Sequence, residues 1–519
     1  MAKSFIHTIT RPSGVEYAYI YTPRKINGKK CNDPQYIGRV IDKDRGIFRN
    51  RARGLFTFSL ESGYGDLSEK EMQEMSPMGS GREERLILNF GDAHFLYEAL
   101  KKLGLYDVIY NAIPGKEDTL MSVLGFKLLA SASNRYAEYW WEGSYARILF
   151  PNAKLRSQRL SEFYSHLGDE AIHRQFFSNY LRTVFKSKSR KVGVLVDSTG
   201  LPNDIQFPLT AVSTRNGETS NESRLLLVLD RKSGMPLFFR YNAGNIVDVS
   251  TLRSTLVELE AYGVDVDYAI VDAGYYSESN IRSLYNNDGG KKGRGRKSRH
   301  IPFLTRIGSN LKLYRQLVAD HADDLSRAEH LIRQRDRILF VKRVRIDLFG
   351  HRAWAYIALD PARRQEAIHK YAISALDEKI PNEEIDAAMK KMGLFVLVSS
   401  EEIDTKDLMP LYYSRQAVEQ VFDVSKNYAE LLPLRVHNED TFRGHLMMSF
   451  MATVAYLSIN QSLKESPFNA EGAFLILNNQ KCKVFDNQIL PKEPNKKMNE
   501  IYKKFKISSP ISISIGGNT

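Results

Sequence analysis

The sequence predicts an α/β core preceded by a small β module and a helical region, and three observations predict it. Two short apolar runs, VGVLVDSTG and VDYAIVDAG, each meet an aspartate and read as buried central strands. A hairpin and a helix stand between them. Before them, apolar residues recur at spacings of three and four, and before that the pattern alternates.

Taken in order, residues 1–75 form the β module, because VEYAYIYT alternates, KINGKKCNDP is turn-forming, and QYIGRVIDKDRGIF reads as strand, turn and strand. Residues 76–188 are helical through FGDAHFLYEALKKLG, EDTLMSVLGFKLLASA, RSQRLSEFYSHLG and EAIHRQFFSNYLRTVF. After the basic connector KSKSRKVG, residues 189–310 carry the first strand, the hairpin RLLLVLDRKSG/MPLFFRYNAGN, the helix DVSTLRSTLVELEAYG and the second apolar strand. This order places Asp197 and Asp272 at the ends of two separate strands. Residues 289–300, GGKKGRGRKSRH, hold six Lys or Arg and four Gly and read as a basic loop. Residues 311–392 mix helices with the strands RILFVKRVRIDLFG and RAWAYIALD, and residues 393–465 contain the strand LFVLVSS and a strong helix. Residues 466–519, rich in Lys and Asn, read as a peripheral tail.

A chain of 519 residues at 43% hydrophobic content has ample material for packed cores. Its formal charge of +13, from 74 Lys and Arg against 61 Asp and Glu, favours a polyanionic partner, with nucleic acid first among them. Only two cysteines occur, Cys31 and Cys482, which excludes a disulfide framework and any Cys-rich zinc or iron–sulfur site. The amino terminus lacks the apolar core of a signal peptide, and the longest apolar stretch, residues 446–459, falls short of the ~18 residues a membrane span needs. A cytoplasmic protein with no membrane segment is expected.

The segment DLMPLYYSRQAVEQVFDVSKNYAELL carries the densest chemistry. Read as one helix, it places Tyr412, Arg415, Glu419 and Lys426 within an arc of about 60° at ~100° per residue, with Leu411, Ala417, Val418, Val421 and Val424 opposite. A solvated charged face gives the same pattern, and Asp197 and Asp272 also suit turns before Ser-Thr-Gly and Ala-Gly. Together, two strand aspartates and a helix glutamate are what hard divalent cations need for phosphoryl transfer. Without a cation, three clustered carboxylates repel one another.

Here the sequence resembles the DDE transposases of bacterial insertion sequences, in the group marked by a Y-(2)-R-(3)-E-(6)-K signature. Tyr412, Arg415, Glu419 and Lys426 match all four letters and all three spacings, a coincidence on the order of one in several hundred for a chain this long. VLVDSTG and IVDAGYYSESNI resemble the family's two aspartate boxes, and the likeness runs through RGHLMMSFMA after the signature. It implies a ribonuclease H-like catalytic core, a mixed sheet with flanking helices, carrying a mainly β insertion before the glutamate helix. It implies further that Asp197, Asp272 and Glu419 are catalytic and bind two Mg2+ ions, with Mn2+ able to substitute. Tyr412, Arg415 and Lys426 would then hold phosphates beside the cut.

The implied reaction is water attack at an element end, followed by attack of the freed 3′-hydroxyl on target DNA. The implied partners are double-stranded DNA, both terminal inverted repeats and target, and a second copy of the chain on paired ends. Some relatives pass through a DNA hairpin and stack a tryptophan where a base has flipped out; Trp354 is the candidate, against its reading as a packed strand aromatic. Lys291, Lys292, Arg294, Arg296, Lys297 and Arg299 of the basic loop are candidate DNA contacts, against a solvated loop. His437 and His445 lack the companions a zinc site needs. The helical region falls to recognition of DNA ends, although neither a helix-turn-helix nor a zinc-finger signature appears. The competing readings are a catalytically inactive DNA-binding descendant and a metal-dependent nuclease without joining activity. A carboxylate-pair glycosidase is disfavoured by the +13 charge.

Overall fold

Alternation in the first 75 residues produces strands with one face buried, and the computed structural model shows them as an antiparallel meander. The structure describes all residues except 1–3, 11–15, 27–28, 51–52, 68–85, 131, 186–190, 204–206, 208, 216–217, 245–250, 287–299, 379, 430, 433, 435, 487 and 515–519. It divides into two compact units, one of Met1–Leu86, Val484–Ile489 and Ser514–Thr519, the other of Ile87–Lys483 and Leu490–Ile513. In the first, β1 (Phe5–Thr10), β2 (Glu16–Ile26), β3 (Lys29–Asp42), β4 (Ile47–Asn50), β5 (Gly54–Ser59) and β6 (Gly63–Gly65) pair in sequence order. Ala18, Ile37, Phe48, Phe56 and Phe58 form its core.

After β7 (Leu86–Asn89) come helices α1 (Gly91–Lys102), α2 (Glu117–Leu129), α3 (Ser157–Leu167) and α4 (Glu170–Phe185), as the spacing predicts, with shorter turns between. The central sheet then begins with β8 (Lys191–Pro202), β9 (Ala211–Arg215), β10 (Glu218–Asp230) and β11 (Pro236–Ala243). β10 and β11 form the predicted hairpin, turning at Gly234, whose φ of 70° suits glycine. Helix α5 (Leu252–Ala261) crosses to β12 (Asp265–Val271), and β13 (Phe303–Ile307) follows. β8 pairs antiparallel with β10 and parallel with β12, while β12 pairs parallel with β13. The sheet is mixed, with buried apolar strands at its centre.

Between β13 and the signature lie β14 (Leu331–Gln334), β15 (Arg337–Leu348), β16 (His351–Leu359) and β17 (Leu394–Ser399), together with the helices Lys312–His321, Pro361–Asp377 and Asn382–Lys391, so the expected mainly β insertion carries more helix than strand. These strands do not make a sheet of their own. They extend the central one, in the order β11-β10-β8-β12-β13-β17-β16-β15-β14 with β9 beside β10. One apolar cluster spans the join, from Ile307 on β13 through Val396 and Val398 on β17 to Ala355 and Ile357 on β16.

After the sheet come α6 (Thr405–Tyr413), α7 (Gln416–Asn427), α8 (Glu439–Ser462) and α9 (Ala470–Leu477), with α10 (Lys496–Lys504) near the end. α8 starts where the Asn438 side chain accepts from Thr441 N at 2.8 Å. Its apolar residues face all round, which suits a helix enclosed by others. α8 and α3 touch backbone to backbone. A Cβ on Gly444 would meet the Tyr164 carbonyl oxygen at 1.8 Å, and one on Gly168 the Asp440 carbonyl oxygen at 1.9 Å. The segment expected to be a peripheral tail packs inward instead. Phe474 and Phe505 set their rings edge-on to Phe95 of α1, and Tyr502 Oη donates to Gln480 Oε1 at 2.6 Å. Its Lys and Asn residues cover only the outer faces of helices whose inner faces are apolar. No helix among the described residues is long and apolar enough to cross a membrane.

Candidate active site

Asp197 and Asp272 meet through strand register. Val196 of β8 stands opposite Val271 of β12 in the parallel pair, so the next residue of each chain is an aspartate at the same level. Asp272 follows β12 directly, as expected for a strand end. Asp197 does not end its strand: β8 runs on to Pro202, and Asp197 pairs with Leu227 of β10. Ladder bonds to β10 outweigh the turn preference of Ser-Thr-Gly.

The signature helix is two helices. Pro410 lies inside α6, and the chain crosses Ser414 and Arg415 through short-range bonds, Arg415 N to Tyr412 O at 3.2 Å and Val418 N to Arg415 O at 2.9 Å. This tight turn re-aims α7. Tyr412 therefore ends on α6 and is buried, not presented on a polar face with the others. Arg415 stands at the head of α7, with Glu419 one turn on and exposed, and Lys426 in the last turn.

Arg415 Nη1 lies 2.6 Å from Asp197 Oδ2 and 3.5 Å from Asp272 Oδ1. One guanidinium thus serves both aspartates. Burial would weaken its hold on the proton, but Asp197, Asp272, Tyr412 and Glu419 outweigh burial and raise its pKa. The Tyr412 ring lies 5.7 Å from the guanidinium carbon, and burial raises the phenol's pKa. Lys426 Nζ donates to Thr199 Oγ1 at 2.9 Å, two residues beyond Asp197. Its pKa is lowered, chiefly by burial, with Asp423 and Glu222 pulling the other way.

Arg224 is a site residue that sequence reasoning missed. It is buried on β10, and its Nη2 donates to Ser198 Oγ at 2.7 Å, bracing the residue after Asp197 from behind. Glu222 on the same strand lies 3.8 Å from it. The only available signal was an Arg at the head of the run RLLLVLD, where a buried strand has no use for a charge without a partner.

Among the described residues no group of three or more His, Cys, Asp or Glu stands ready to hold a metal ion. The donor chemistry of Asp197 and Asp272 nonetheless fits one. Their oxygens, both within bonding reach of a single cationic nitrogen, stand where carboxylate oxygens can share a hard divalent cation. Glu419 belongs to the same charge environment through Arg415.

Trp354 lies half-buried on β16, its ring centre 5.2 and 4.9 Å from the guanidinium carbons of Arg343 and Arg345 on β15. The six basic-loop residues, Lys291, Lys292, Arg294, Arg296, Lys297 and Arg299, lie outside the described residues. His445 makes a structural bond, its ring nitrogen 3.0 Å from Leu431 O. Burial first, and then the charge of Lys127, push its pKa down to about 3. An unfolded histidine holds its proton up to a pH of about 6.5, so between about 3 and 6.5 the unfolded chain binds the extra proton. His445 therefore makes the fold lose stability as pH falls through that window. His445→Gln is expected to reduce the drop in melting temperature between pH 7 and pH 5; an unchanged drop would refute the assignment.

Residues 188–455 match the family model described as the transposase DDE domain. No curated protein matches the sequence. Among solved structures, the chain is similar to a cryo-EM structure of a piggyBac transposase synaptic complex with hairpin DNA. Identity is 9% over 75% of this chain and 70% of that one, with a TM-score of 0.36, a likeness too slight to carry weight.

Proposed function

The chain belongs to the transposase DDE domain family, and on that premise we propose that it cuts DNA at transposon ends and transfers the freed 3′-hydroxyl into target DNA. The observation that carries this is the meeting of Asp197 and Asp272 on adjacent parallel strands, inside the matched span and against the arginine of the signature. The mixed sheet with flanking helices supports a ribonuclease H-like core, and the spacing from Tyr412 to Lys426 supports the Y-(2)-R-(3)-E-(6)-K group.

Asp197, Asp272 and Glu419 would hold the divalent cations, Mg2+ or Mn2+, which when bound activate the attacking oxygen and stabilise the leaving one. The protein's own groups do the rest. Arg415 neutralises the aspartate pair, and its planar fork suits a phosphate beside it. Lys426, braced on Thr199, offers a second positive charge along the same strand. Arg224 fixes Ser198 and so the direction of Asp197. Duplex DNA is the substrate, and two copies of the chain on paired ends are its working form.

The test is a duplex carrying the inverted repeats that flank the gene, incubated with Mg2+ and a target plasmid. Cleavage followed by joining is expected. Cleavage without joining indicates a nuclease, and binding without cleavage a DNA-binding descendant.

Glu419 has a rival one turn on, Asp423, and the two separate by their partners. Asp423 acts on Lys426, whereas Glu419 acts on Arg415. Glu419→Gln is expected to abolish cleavage and Asp423→Asn to reduce it by less than about tenfold. The reverse pattern would place the catalytic carboxylate at Asp423.

A further inference from the structure

In an antiparallel sheet with one side against a core, the other side is ordinarily polar. The outward side of the β1–β5 meander is aromatic instead. Strand register sets Ile9 of β1, Tyr17 of β2, Arg39 of β3, Arg49 of β4 and Leu55 of β5 in one row across five strands. His7, Tyr19 and Tyr36 form a second row, and Phe5 and Tyr21 a third. Neighbours in sequence, Ala18, Ile37, Phe48 and Phe56, turn to the core on the opposite side. Phe5 and Tyr36 are 45% and 47% exposed, and Arg39 and Arg49 are exposed on the same face.

The Phe5 and Tyr21 rings stack with 5.8 Å between centres and 16° between planes, and the Tyr36 ring stands 5.5 Å from Tyr19 and 6.3 Å from Tyr17. Ring surface is therefore continuous from β1 to β3. Over residues 5–59, which carry the five strands, eleven Lys and Arg stand against four Asp and Glu, and none of the four acids falls in the three rows. A second copy of the chain would bring the same excess of positive charge to this face and be repelled. The surface complements a polyanion that has flat apolar faces of its own. Nucleic acid has that chemistry, and only a strand with unpaired bases can lay them on side-chain rings, since a duplex covers each base face with the next pair.

We propose that this sheet face binds single-stranded DNA, whose unpaired bases stack on Tyr19, Tyr36 and the rings beside them while Arg39 and Arg49 take its phosphates. The site is assigned from its own chemistry; the choice of DNA over RNA rests on the reading of the chain as a DNA-cutting enzyme. Five strands about 4.8 Å apart span roughly 19 Å, and a four-stranded sheet with such aromatics stacks about two or three bases. The β module, to which the cutting reaction assigns no residue, thereby has a task of its own.

The test measures fluorescence anisotropy of a labelled oligothymidylate of about 15 bases, a blunt duplex of the same length and an oligouridylate, without Mg2+, for the full chain and its variants. Leucine keeps apolar bulk and removes the ring, so the double variant Tyr19→Leu/Tyr36→Leu should lose about tenfold or more in affinity for oligothymidylate and less than about threefold for the duplex. Tyr19→Phe/Tyr36→Phe keeps both rings and should stay within about twofold. Arg39→Gln and Arg49→Gln should each lower the slope of log affinity against log salt by about 0.7, the value for a single strand, and Lys370→Gln in the second unit should leave it unchanged. Unchanged oligothymidylate affinity in a folded leucine variant overturns the proposal; if circular dichroism shows that variant unfolded, the slopes of the arginine variants decide. An equal loss on the duplex makes the face a duplex contact, binding of oligouridylate about tenfold tighter makes it an RNA site, and a change in sedimentation mass with DNA affinity unchanged makes it a contact between copies; each of these overturns the proposal. Mg2+-dependent cleavage by the unmodified chain is scored independently: ring-dependent single-strand binding by a chain that never cuts keeps this site and removes the enzyme, and cutting without such binding does the reverse.

Discussion

Asp197→Asn and Asp272→Asn are each expected to reduce Mg2+-dependent strand cleavage by on the order of 10³-fold or more, while duplex affinity stays within about threefold. The two effects separate because the carboxylates serve chemistry and the basic surface supplies affinity. Asparagine keeps the shape of the side chain and an oxygen for Arg415, so the substitution removes charge with little change in packing. Asp197 is the more enclosed of the two, with 13% of its side chain exposed against 38% for Asp272, so its variant also tests whether Arg415 tolerates losing its nearer partner. Circular dichroism and melting establish that each variant is folded. Retained cleavage by either one removes that residue from the active site.

Gly444→Ala is expected to lower the stability of the second unit by about 3 kcal/mol, the upper end for overpacking, because the added methyl meets backbone and not a movable side chain. Its Cβ would stand 1.8 Å from the Tyr164 carbonyl oxygen, and no rotamer change can relieve that. α8 and α3 must part, or the junction of the helical region with the core must shift. Gly143→Ala is the matched control, because a Cβ there meets nothing within 4 Å. Denaturant unfolding of the two variants should place their midpoints well apart; equal midpoints would mean that the helix crossing accommodates the methyl.

Those parts of the fold with local causes were legible in the sequence. β8 and β12 declare themselves as apolar runs, and the hairpin β10/β11 by its Ser-Gly turn. What local pattern cannot supply is the identity of partners. Nothing in RILFVKRVRIDLFG says that its sheet is the one already begun at β8, because alternation specifies a strand and leaves its neighbour open. Asp197 reads as a strand end for the same reason, since only the ladder with β10 extends β8 through Ser-Thr-Gly. At the signature, spacing located the residues while helical periodicity misjudged their setting. Pro410 and the tight turn at Ser414 and Arg415 divide the helix, bury Tyr412 and leave Arg415 at a helix head, where it reaches both aspartates. Arg224 was hidden because a buried charge is explained only by its tertiary partner.

The distance along the chain between the two halves of the site has a consequence for biosynthesis. Arg415 and Asp197 are 218 residues apart, and Lys426 and Thr199 are 227 apart. A ribosome that has just passed Asp272 has translated both aspartates, yet the arginine, the glutamate and the lysine are still to come. Everything from β13 to β17 must emerge and join the growing edge of the sheet before α7 can be laid against β8. Any polypeptide truncated before α6, whether by a stop codon, a stalled ribosome or a protease, carries an aspartate pair with neither counterion nor third carboxylate. On the proposed reading, nascent and truncated forms lack the residues for cutting DNA, and competence arrives only with about the last fifth of the chain.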